Sequence, residues 1–424
     1  MLRGVLGGFA RGRRQTSAAT LYLDFLAGLN DSRITYSGGT NGTRVNSAGV
    51  IVAATTPRFD YDPVTLAAKG LLVEEARTNL AIRSQQLDIA WSPFQTTVTA
   101  DATTSPDGTV NADKLAETAT TTPHALTELA TVAASTTYTF SAFVHSAENT
   151  LAQISFDDGS SNGCFANINL STGAITRATL AGTGTYIGSG VVAYGDGWYR
   201  VYVTGGIGSA TVGRVGLNLI NSTLAGIFPG YTGTAGNGVY FWGAQLEAGA
   251  FPTSYIPTTS ASVTRTADSA VMTGTNFSSW YNATQGTLVC GYDVNYDSAE
   301  SIFPGAITIN DGTTNNRIVI YSRTVDDTNR GLVGSGGAVV ADLTVTNIVY
   351  GTPQKAAISY AANDFAYCAN AGIVQTDASG AVPTVSQIDI GVLVSGTNWL
   401  NGHIRTLQYF PRRLPNTQLQ TLTA

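Results

Sequence analysis

Residues 137–144 read TYTFSAFV, and residues 198–203 read WYRVYV. In both stretches apolar and aromatic side chains recur at every second position. One face of the first stretch would carry Tyr138, Phe140, Ala142 and Val144. A period of two is typical of β-strands that bury one face, whereas a helix repeats every 3.6 residues. These two stretches therefore predict strands.

The same alternation continues outward along the chain, in VYFWGAQL at 239–246, RIVIY at 317–321 and KAAISY at 355–360. Turn-forming clusters separate such stretches, including DDG at 157–159 and NDG at 310–312. Asp-Gly and similar pairs tolerate positive φ and favour hairpins. Helical periodicity is almost absent, so the crossover helices of a parallel sheet are missing. The sequence predicts an all-β protein made of antiparallel sandwiches or barrels.

Composition excludes several classes of protein. Charged residues make up only 12% of the 424 residues, against about 25% in an average protein, and the net charge is −6. General nucleic-acid binding needs a basic footprint, which this chain lacks. No uncharged apolar stretch reaches the roughly 18 residues of a membrane-spanning helix, so no membrane insertion is expected.

The N-terminus is basic, because four arginines precede the first acidic residue, Asp24. They are Arg3, Arg11, Arg13 and Arg14. They interrupt the short apolar stretch, so a signal peptide is not expected. Two interpretations remain open, a flexible terminus or an arm that docks onto an acidic partner surface.

The three cysteines, Cys164, Cys290 and Cys368, are widely spaced and odd in number. Neither a disulfide framework nor a zinc site fits this spacing. We expect buried free thiols, since free cysteine behaves as a small hydrophobic residue.

Two stretches suggest domain boundaries. Residues 256–262, IPTTSAS, are small, polar and contain proline, as expected of a linker. A second boundary falls near residues 83–88. The predicted units are therefore an irregular, β-rich N-terminal module at 1–85, a first sandwich at 86–258 and a second at 259–424. The apolar content of 1–85 is modest, so this module needs a partner or a neighbouring domain to stay ordered.

Several segments resemble bacteriophage virion proteins. Residues 57–80, PRFDYDPVTLAAKGLLVEEARTNL, resemble a segment of tail-fibre and head-fibre proteins, and TRVNSAGVI at 43–51 fits the same pattern. GDGWYRV at 195–201 looks like part of the jelly-roll, carbohydrate-binding-like module of those proteins. So does WGAQLEAG at 242–249, which TSYIPT follows at 253–258.

The last third resembles concanavalin A-like or laminin-G-like sandwiches. This similarity rests on four short stretches: FSSWY at 277–281, GTLV at 286–289, NGHIR at 401–405 and YFPRRL at 409–414. Together the similarities cover nearly the whole chain, and they are more specific in its first two thirds. They imply a jelly roll followed by a concanavalin A-like domain.

The resemblance implies a non-enzymatic virion surface protein, made in the host cytoplasm. Residues 1–85 would attach it to other virion proteins, and the sandwiches would project to bind host cell-surface polysaccharide. A homo-oligomer, with a trimer favoured, fits a fibre, although no heptads specify it. The alternative is a decoration or cementing protein of capsid or tail that makes only protein contacts, because fold does not imply sugar binding. An exopolysaccharide depolymerase is a third possibility, and it would need carboxylates that face each other across a cleft.

Sugar-binding candidates are loop aromatics near Gly, Asn or Ser, because binding sites on a sandwich are usually built on its loops. The residues are Trp91, Trp280, Tyr281, Tyr296 and Trp399. The competing interpretation is that these rings pin loops or fill contacts between subunits. No cofactor is expected apart from a structural calcium ion, for which the jelly-roll resemblance makes Glu247 a candidate ligand.

Other motifs predict structure rather than chemistry. DDGSSNG at 157–163 contains G-x-S-x-G, but a strand pattern follows it, so we expect a hairpin loop instead of a hydrolase elbow. The stretch that starts at Asp293 lacks the glycine and the final glutamate of an EF-hand loop. The adjacent carboxylates Glu74-Glu75 and Asp326-Asp327 would point to opposite faces of a strand.

Charge in a charge-poor chain is concentrated at residues 57–80. This segment contains Arg58, Arg77, Glu74 and Glu75. Their density predicts arginine–carboxylate pairing, which would fix the path of an irregular segment. Trp198 and Trp242, on predicted strands, are expected in the core.

Overall fold

A computed structural model describes residues 18–296, 303–346, 348–394 and 396–424. Its sheets are antiparallel and helix is confined to short segments, which confirms the all-β prediction. The arginine-rich arm before residue 18 lies outside the described residues. Within the described part of the chain, no helix has the length and apolar character needed to cross a membrane.

The N-terminal segment, residues 18–80, contains seven short strands. They are β1 Leu21–Asp24, β2 Thr35–Ser37, β3 Thr43–Val45, β4 Ile51–Ala53, β5 Phe59–Tyr61, β6 Ala68–Val73 and β7 Arg77–Asn79.

The central sandwich follows. Its strands are β8 Ser92–Phe94, β9 Thr96–Thr104, β10 Val110–Glu117, β11 Thr121–Thr122, β12 His124–Thr131, β13 Tyr138–Ser146, β14 Leu151–Asp157, β15 Gly163–Asn169, β16 Ala174–Ala181, β17 Thr185–Ala193, β18 Tyr199–Gly206, β19 Val212–Leu219, β20 Tyr231–Thr232 and β21 Gly238–Ala248. One sheet has the order β17-β18-β13-β21-β10-β9 and the other β16-β15-β14-β19-β12-β8. The alternation seen in the sequence places Phe140, Ala142 and Val144 in the core between them.

The C-terminal sandwich contains two short helices, α1 Gly274–Ser278 and α2 Asn416–Leu422. Its strands are β22 Val263–Arg265, β23 Ser269–Thr273, β24 Gln285–Val294, β25 Gly305–Asn310, β26 Arg317–Arg323, β27 Thr328–Ser335, β28 Ala338–Thr346, β29 Gln354–Ala361, β30 Asp364–Ala369, β31 Gln375–Asp377, β32 Gln387–Ile390, β33 Val392–Leu393, β34 Thr397–Trp399 and β35 Gly402–Phe410. The two large sheets have the orders β31-β30-β29-β24-β35-β6-β5 and β2-β23-β32-β25-β26-β27-β28.

Strands of the N-terminal segment therefore complete the C-terminal sandwich, although more than 180 residues separate them in the chain. β6 and β1 pair with successive halves of β35, while β2 pairs with β23. Leu21, Phe25 and Leu71 are buried in the same core as the C-terminal strands. The physical reason is the modest apolar content of the segment, which cannot form a core of its own.

The stretch at 256–262 is only partly a linker. Ile256 is fully buried, and its carbonyl oxygen accepts a hydrogen bond of 2.9 Å from the Asn79 amide. Asn79 also donates to the Ala244 carbonyl oxygen and accepts from the Leu246 amide, each at 3.0 Å. Asn79 thus fastens the end of residues 57–80 to β21, where the second resembling segment lies.

Several local predictions are confirmed. The three cysteines are buried and free, and Trp198 and Trp242 are 3% and 1% exposed. DDGSSNG forms the turn of the β14–β15 hairpin, so its serines do not occupy a hydrolase elbow.

A buried ionic cluster joins the three parts of the chain. Arg58, next to β5, makes an ion pair with Asp268 and another of 2.8 Å with Glu74, at the end of β6. Arg265 lies 3.4 Å from the same Glu74 oxygen. Ser254, from the central sandwich, donates to Glu74 through its backbone amide at 2.8 Å and its hydroxyl at 2.7 Å. The pairing predicted for residues 57–80 is confirmed, with partners that are distant in sequence.

The charged groups of this cluster are buried, and their removal from water is energetically costly. Burial by itself would raise the pKa of Glu74, but the guanidinium groups of Arg265 and Arg58 outweigh burial and lower that pKa well below its ordinary value. Removal of one partner would leave uncompensated charge in the interior, which is more costly than loss of the pair as a whole.

We expect Arg58→Met to lower the free energy of unfolding by about 3–5 kcal/mol, because Asp268 and Glu74 would lose a buried countercharge. Urea unfolding followed by tryptophan fluorescence measures this change. The matched control is Arg33→Met, since Arg33 pairs with Asp31 at the surface, where such pairs contribute at most about 1 kcal/mol. Equal effects of the two substitutions would contradict the role given to the cluster.

Candidate functional site

A half-open cavity of about 250 Å³ lies where the N-terminal segment, the central sandwich and the C-terminal sandwich meet. We call it the junction cavity. Its walls come from all three parts. The charged and aromatic residues that line it include Arg44, Asp60, Tyr61, Lys69, Glu74, Tyr194, Arg200, Tyr202, Tyr296 and His403. The ionic cluster lies directly behind it, since Glu74 belongs to both.

Tyrosines form much of the wall. Tyr296 stacks on the buried Phe251 at 5.1 Å between ring centroids, and Tyr202 meets Tyr296 edge to face at 6.2 Å. Tyr194 packs edge-on against Phe143 at 4.9 Å. Their rings are thereby held in place before any ligand binds, which lowers the entropy cost of binding.

The hydroxyl groups of Tyr194, Tyr202 and Tyr296 have no hydrogen-bond partner among the described residues. Burial raises the pKa of Tyr194 to about 12 and raises that of Tyr202 as well. All these phenols therefore stay neutral at pH 7, and each hydroxyl can both donate and accept a hydrogen bond.

His403, at the start of β35, is buried between two carboxylates. Its Nε2 lies 3.0 Å from Asp60 Oδ2, and its Nδ1 lies 2.8 Å from Asp293 Oδ1. Burial and the nearby Lys69 ammonium oppose a charged imidazole, but Asp293 and Asp60 outweigh them and raise the pKa of His403. His403 thus links β5 of the N-terminal segment to β24 of the C-terminal sandwich.

The carboxylates at the junction cavity already have partners. Asp60 accepts from His403 and, at 2.7 Å, from the Val45 amide. Glu74 is held by Arg58, Arg265 and Ser254. A glycosidase needs one carboxyl group poised as an acid and a second as base or nucleophile. Both carboxylates of the junction cavity are thus engaged in contacts within the protein.

Two of the tryptophans predicted as sugar platforms belong to the core. Trp91 is 4% exposed, and its indole donates to the Ile82 carbonyl oxygen at 3.1 Å. Trp280 is 3% exposed and packs between Phe277 and Tyr409. A sugar needs an open ring face, so the structure corrects both assignments. Aromatic rings are as effective in filling a core as in forming a platform, and residue type alone does not distinguish the two uses.

Tyr281 and Trp399 are half-buried. Tyr281 stacks on Phe277 at 4.7 Å, and the Trp399 indole donates to the Asp268 carbonyl oxygen at 2.9 Å. Both rings pack against the core of the C-terminal sandwich. Only Tyr296, among the five predicted residues, lines the junction cavity.

Glu247 is fully buried on β21. Its carboxylate accepts hydrogen bonds from the Gln245 amide at 2.7 Å and from the Thr253 amide and hydroxyl at 2.8 and 2.7 Å. These contacts fold the segment after β21 back onto the strand. Within the described ranges, no group of three His, Cys, Asp or Glu side chains is arranged to hold a metal ion. The structural calcium ion remains a prediction.

Sequence reasoning missed Tyr61 and Lys69, which lie inside the 57–80 segment, and Tyr202, which lies on β18. Their residue types do not indicate a binding site, because the 57–80 segment predicts ion pairing and the alternation of the strand predicts positions in the core. Tyr194, next to Gly195, is one of several aromatics beside glycine, and nothing in the sequence separates it from the others.

Comparison of the sequence with protein-family models gave no match, and comparison with curated proteins also gave none. Among solved structures, the CBM40 of the Ruminococcus gnavus IT-sialidase, bound to α2,6-sialyllactose, matches with a TM-score of 0.30 and 15% identity, over 35% of this chain and 88% of that one. The NanB sialidase of Streptococcus pneumoniae gives 0.29 and 10%, over 34% and 25%. A pentraxin of Limulus polyphemus gives 0.26 and 12%, over 34% and 70%. Likenesses this weak carry no argument about the site.

We expect stability to fall as the pH rises through the pKa of His403, because that pKa is raised in the folded protein above its ordinary value of about 6.5. A raised histidine pKa contributes stability that is complete below the unfolded value of about 6.5 and is lost as the pH passes the folded value. Urea unfolding at pH 6 and pH 9, with wild type and His403→Gln, measures the effect. The substitution should flatten this pH dependence, whereas the control His145→Gln should leave it in place. An unchanged profile in His403→Gln would contradict the charged bridge.

Proposed function

We propose that this protein is a non-enzymatic surface protein of a bacteriophage virion and that its junction cavity binds a glycan of the host cell surface. The virion assignment is supported by the resemblance of residues 57–80, 195–201 and 242–258 to tail-fibre and head-fibre proteins. The binding role is supported by the junction cavity.

The observation that carries the binding role is a half-open cavity in which fixed tyrosine rings alternate with polar groups. Recognition sites for small ligands are concave, largely pre-formed and lined by aromatic side chains with a few polar groups. The hydroxyls of Tyr194 and Tyr202 have no protein partner in the described part of the chain, so they are available to a ligand rich in hydroxyl groups.

Weak binding at one cavity is sufficient for an adhesin. A homotrimer, as predicted from fibre architecture, would present three cavities, and several trimers on one particle would present more. Linked sites raise the overall avidity by a factor of about 100–10,000 without any new contact.

The alternative, a decoration or cementing protein, predicts no glycan binding. Such a protein would associate tightly with particles that lack it and would not bind cell-surface polysaccharide, so association with such particles is measured in addition to glycan binding.

We expect Tyr202→Ala to weaken glycan binding at least tenfold, which corresponds to about 1.4 kcal/mol. The substitution removes one ring and one hydroxyl from the cavity wall. The measurement is binding of the purified full chain to an array of bacterial capsular and O-antigen polysaccharides. Tyr202→Phe, which keeps the ring, separates loss of the hydroxyl from a packing defect.

The matched control is Tyr22→Ala, because Tyr22 is 56% exposed on β1 and does not line the cavity. It should bind as wild type does. Glycan binding that survives Tyr202→Ala would place the site elsewhere. Absence of binding by wild type, together with tight association with virions that lack the protein, would replace adhesion with decoration.

A further inference from the structure

The junction cavity is cationic within an acidic protein. The net charge of the chain is −6, and it contains only three lysines. Nevertheless, the cavity wall includes three cationic side chains, those of Lys69, Arg44 and Arg200, and the imidazole of His403, against two carboxylates, those of Asp60 and Glu74. This excess of positive charge is local, and overall composition gives no sign of it.

Most of these charges are already neutralised or engaged. His403 is bridged by Asp60 and Asp293, and Glu74 by two arginines. The guanidinium of Arg200 donates to the Thr253 carbonyl oxygen at 2.7 Å and to the Ser141 hydroxyl at 3.0 Å, both neutral groups, while its buried Nε has no hydrogen-bond partner among the described residues.

Lys69 and Arg44 have fewer hydrogen-bond partners than Arg200. Across the described ranges, neither makes an ion pair with a carboxylate, and both are half-buried at the cavity wall. Arg44 makes one long hydrogen bond, 3.4 Å, to the Phe59 carbonyl oxygen. The Lys69 ammonium acts on Asp62 and Asp293 only through longer-range attraction. Two cations without close counterions thus face a partly desolvated space, where an anion would be bound more strongly than in water.

We propose that the junction cavity binds an anionic sugar unit, one that carries a carboxylate or a phosphate ester, with Lys69 and Arg44 as its charge partners. This inference rests on the proposed glycan-binding function and specifies its ligand class. Charge-assisted hydrogen bonds from the ammonium and guanidinium groups would hold the acidic substituent. The neutral hydroxyls of Tyr194 and Tyr202 would meet the sugar hydroxyls, and the fixed rings would pack against the apolar face of the sugar.

The test uses the full chain and three purified polymers that separate the sources of charge. They are a uronic-acid-containing capsular polysaccharide, the same polysaccharide with its carboxyl groups reduced to alcohols, and a teichoic acid with phosphodiester linkages. Affinities are measured by calorimetry at 50 and 200 mM salt. The variants are Lys69→Met, Lys69→Arg to restore the charge, and Lys114→Met as the control, because Lys114 pairs with the surface residue Glu148.

We expect wild type to bind at least one charged polymer, and Lys69→Met to weaken that binding at least tenfold. Lys69→Arg should recover most of the affinity, and Lys114→Met should have no effect. Carboxyl reduction should abolish binding if a uronic acid is the ligand, and binding confined to the teichoic acid would identify a phosphate ester. Melting temperatures of all variants distinguish loss of the contact from loss of the fold.

Two outcomes overturn the inference, and they differ from each other. If the reduced, neutral polysaccharide binds as tightly as the acidic one and Lys69→Met binds as Lys114→Met does, the anionic ligand class is wrong. Binding that still depends on Tyr202 would then leave the proposed function intact. If wild type binds none of the three polymers and nothing on the polysaccharide array, the inference and the glycan-binding function fail together.

Discussion

The buried cluster of Arg58, Glu74, Arg265 and Asp268 is the constraint on which the rest of the molecule depends. Its members come from the N-terminal segment and from the beginning of the C-terminal part, and Ser254 connects it to the central sandwich. Charges buried in a protein interior are tolerated only when each finds its partner at close range. This requirement ties the three parts of the chain together at the point where they meet.

The junction cavity follows from this arrangement. Glu74 faces the cavity and the cluster at once, and His403 makes a second charged bridge a short distance away, between Asp60 and Asp293. The tyrosines of its wall come from strands and loops of different parts of the chain. These strands and loops would be far apart if the three parts did not meet. A binding site at the meeting point of domains is a common arrangement, because concave surfaces arise where separately folded units come together.

The N-terminal segment has a double role in this architecture. Its strands β1, β2, β5 and β6 extend the sheets of the C-terminal sandwich, and Asn79 fastens it to β21 of the central one. Attachment to a virion through residues 1–85 is therefore proposed for a segment that is also built into the body of the protein. The same segment also lines the junction cavity through Arg44, Asp60 and Lys69.

The sequence by itself determined the all-β class, the hairpin at 157–163, the buried cysteines, the core positions of Trp198 and Trp242, and the ion pairing at residues 57–80. Each depends on local pattern, either an alternation with a period of two, a turn-forming pair or an unusual density of charge. The tertiary structure alone decided that Asp268 and Arg265 complete the ionic cluster and that β1 and β6 lie on β35. It also decided that Tyr296 lines a cavity whereas Trp91 and Trp280 lie in the core. These outcomes depend on contacts between residues up to more than 300 positions apart, and an aromatic ring or a carboxylate has the same local signature wherever its distant partner lies.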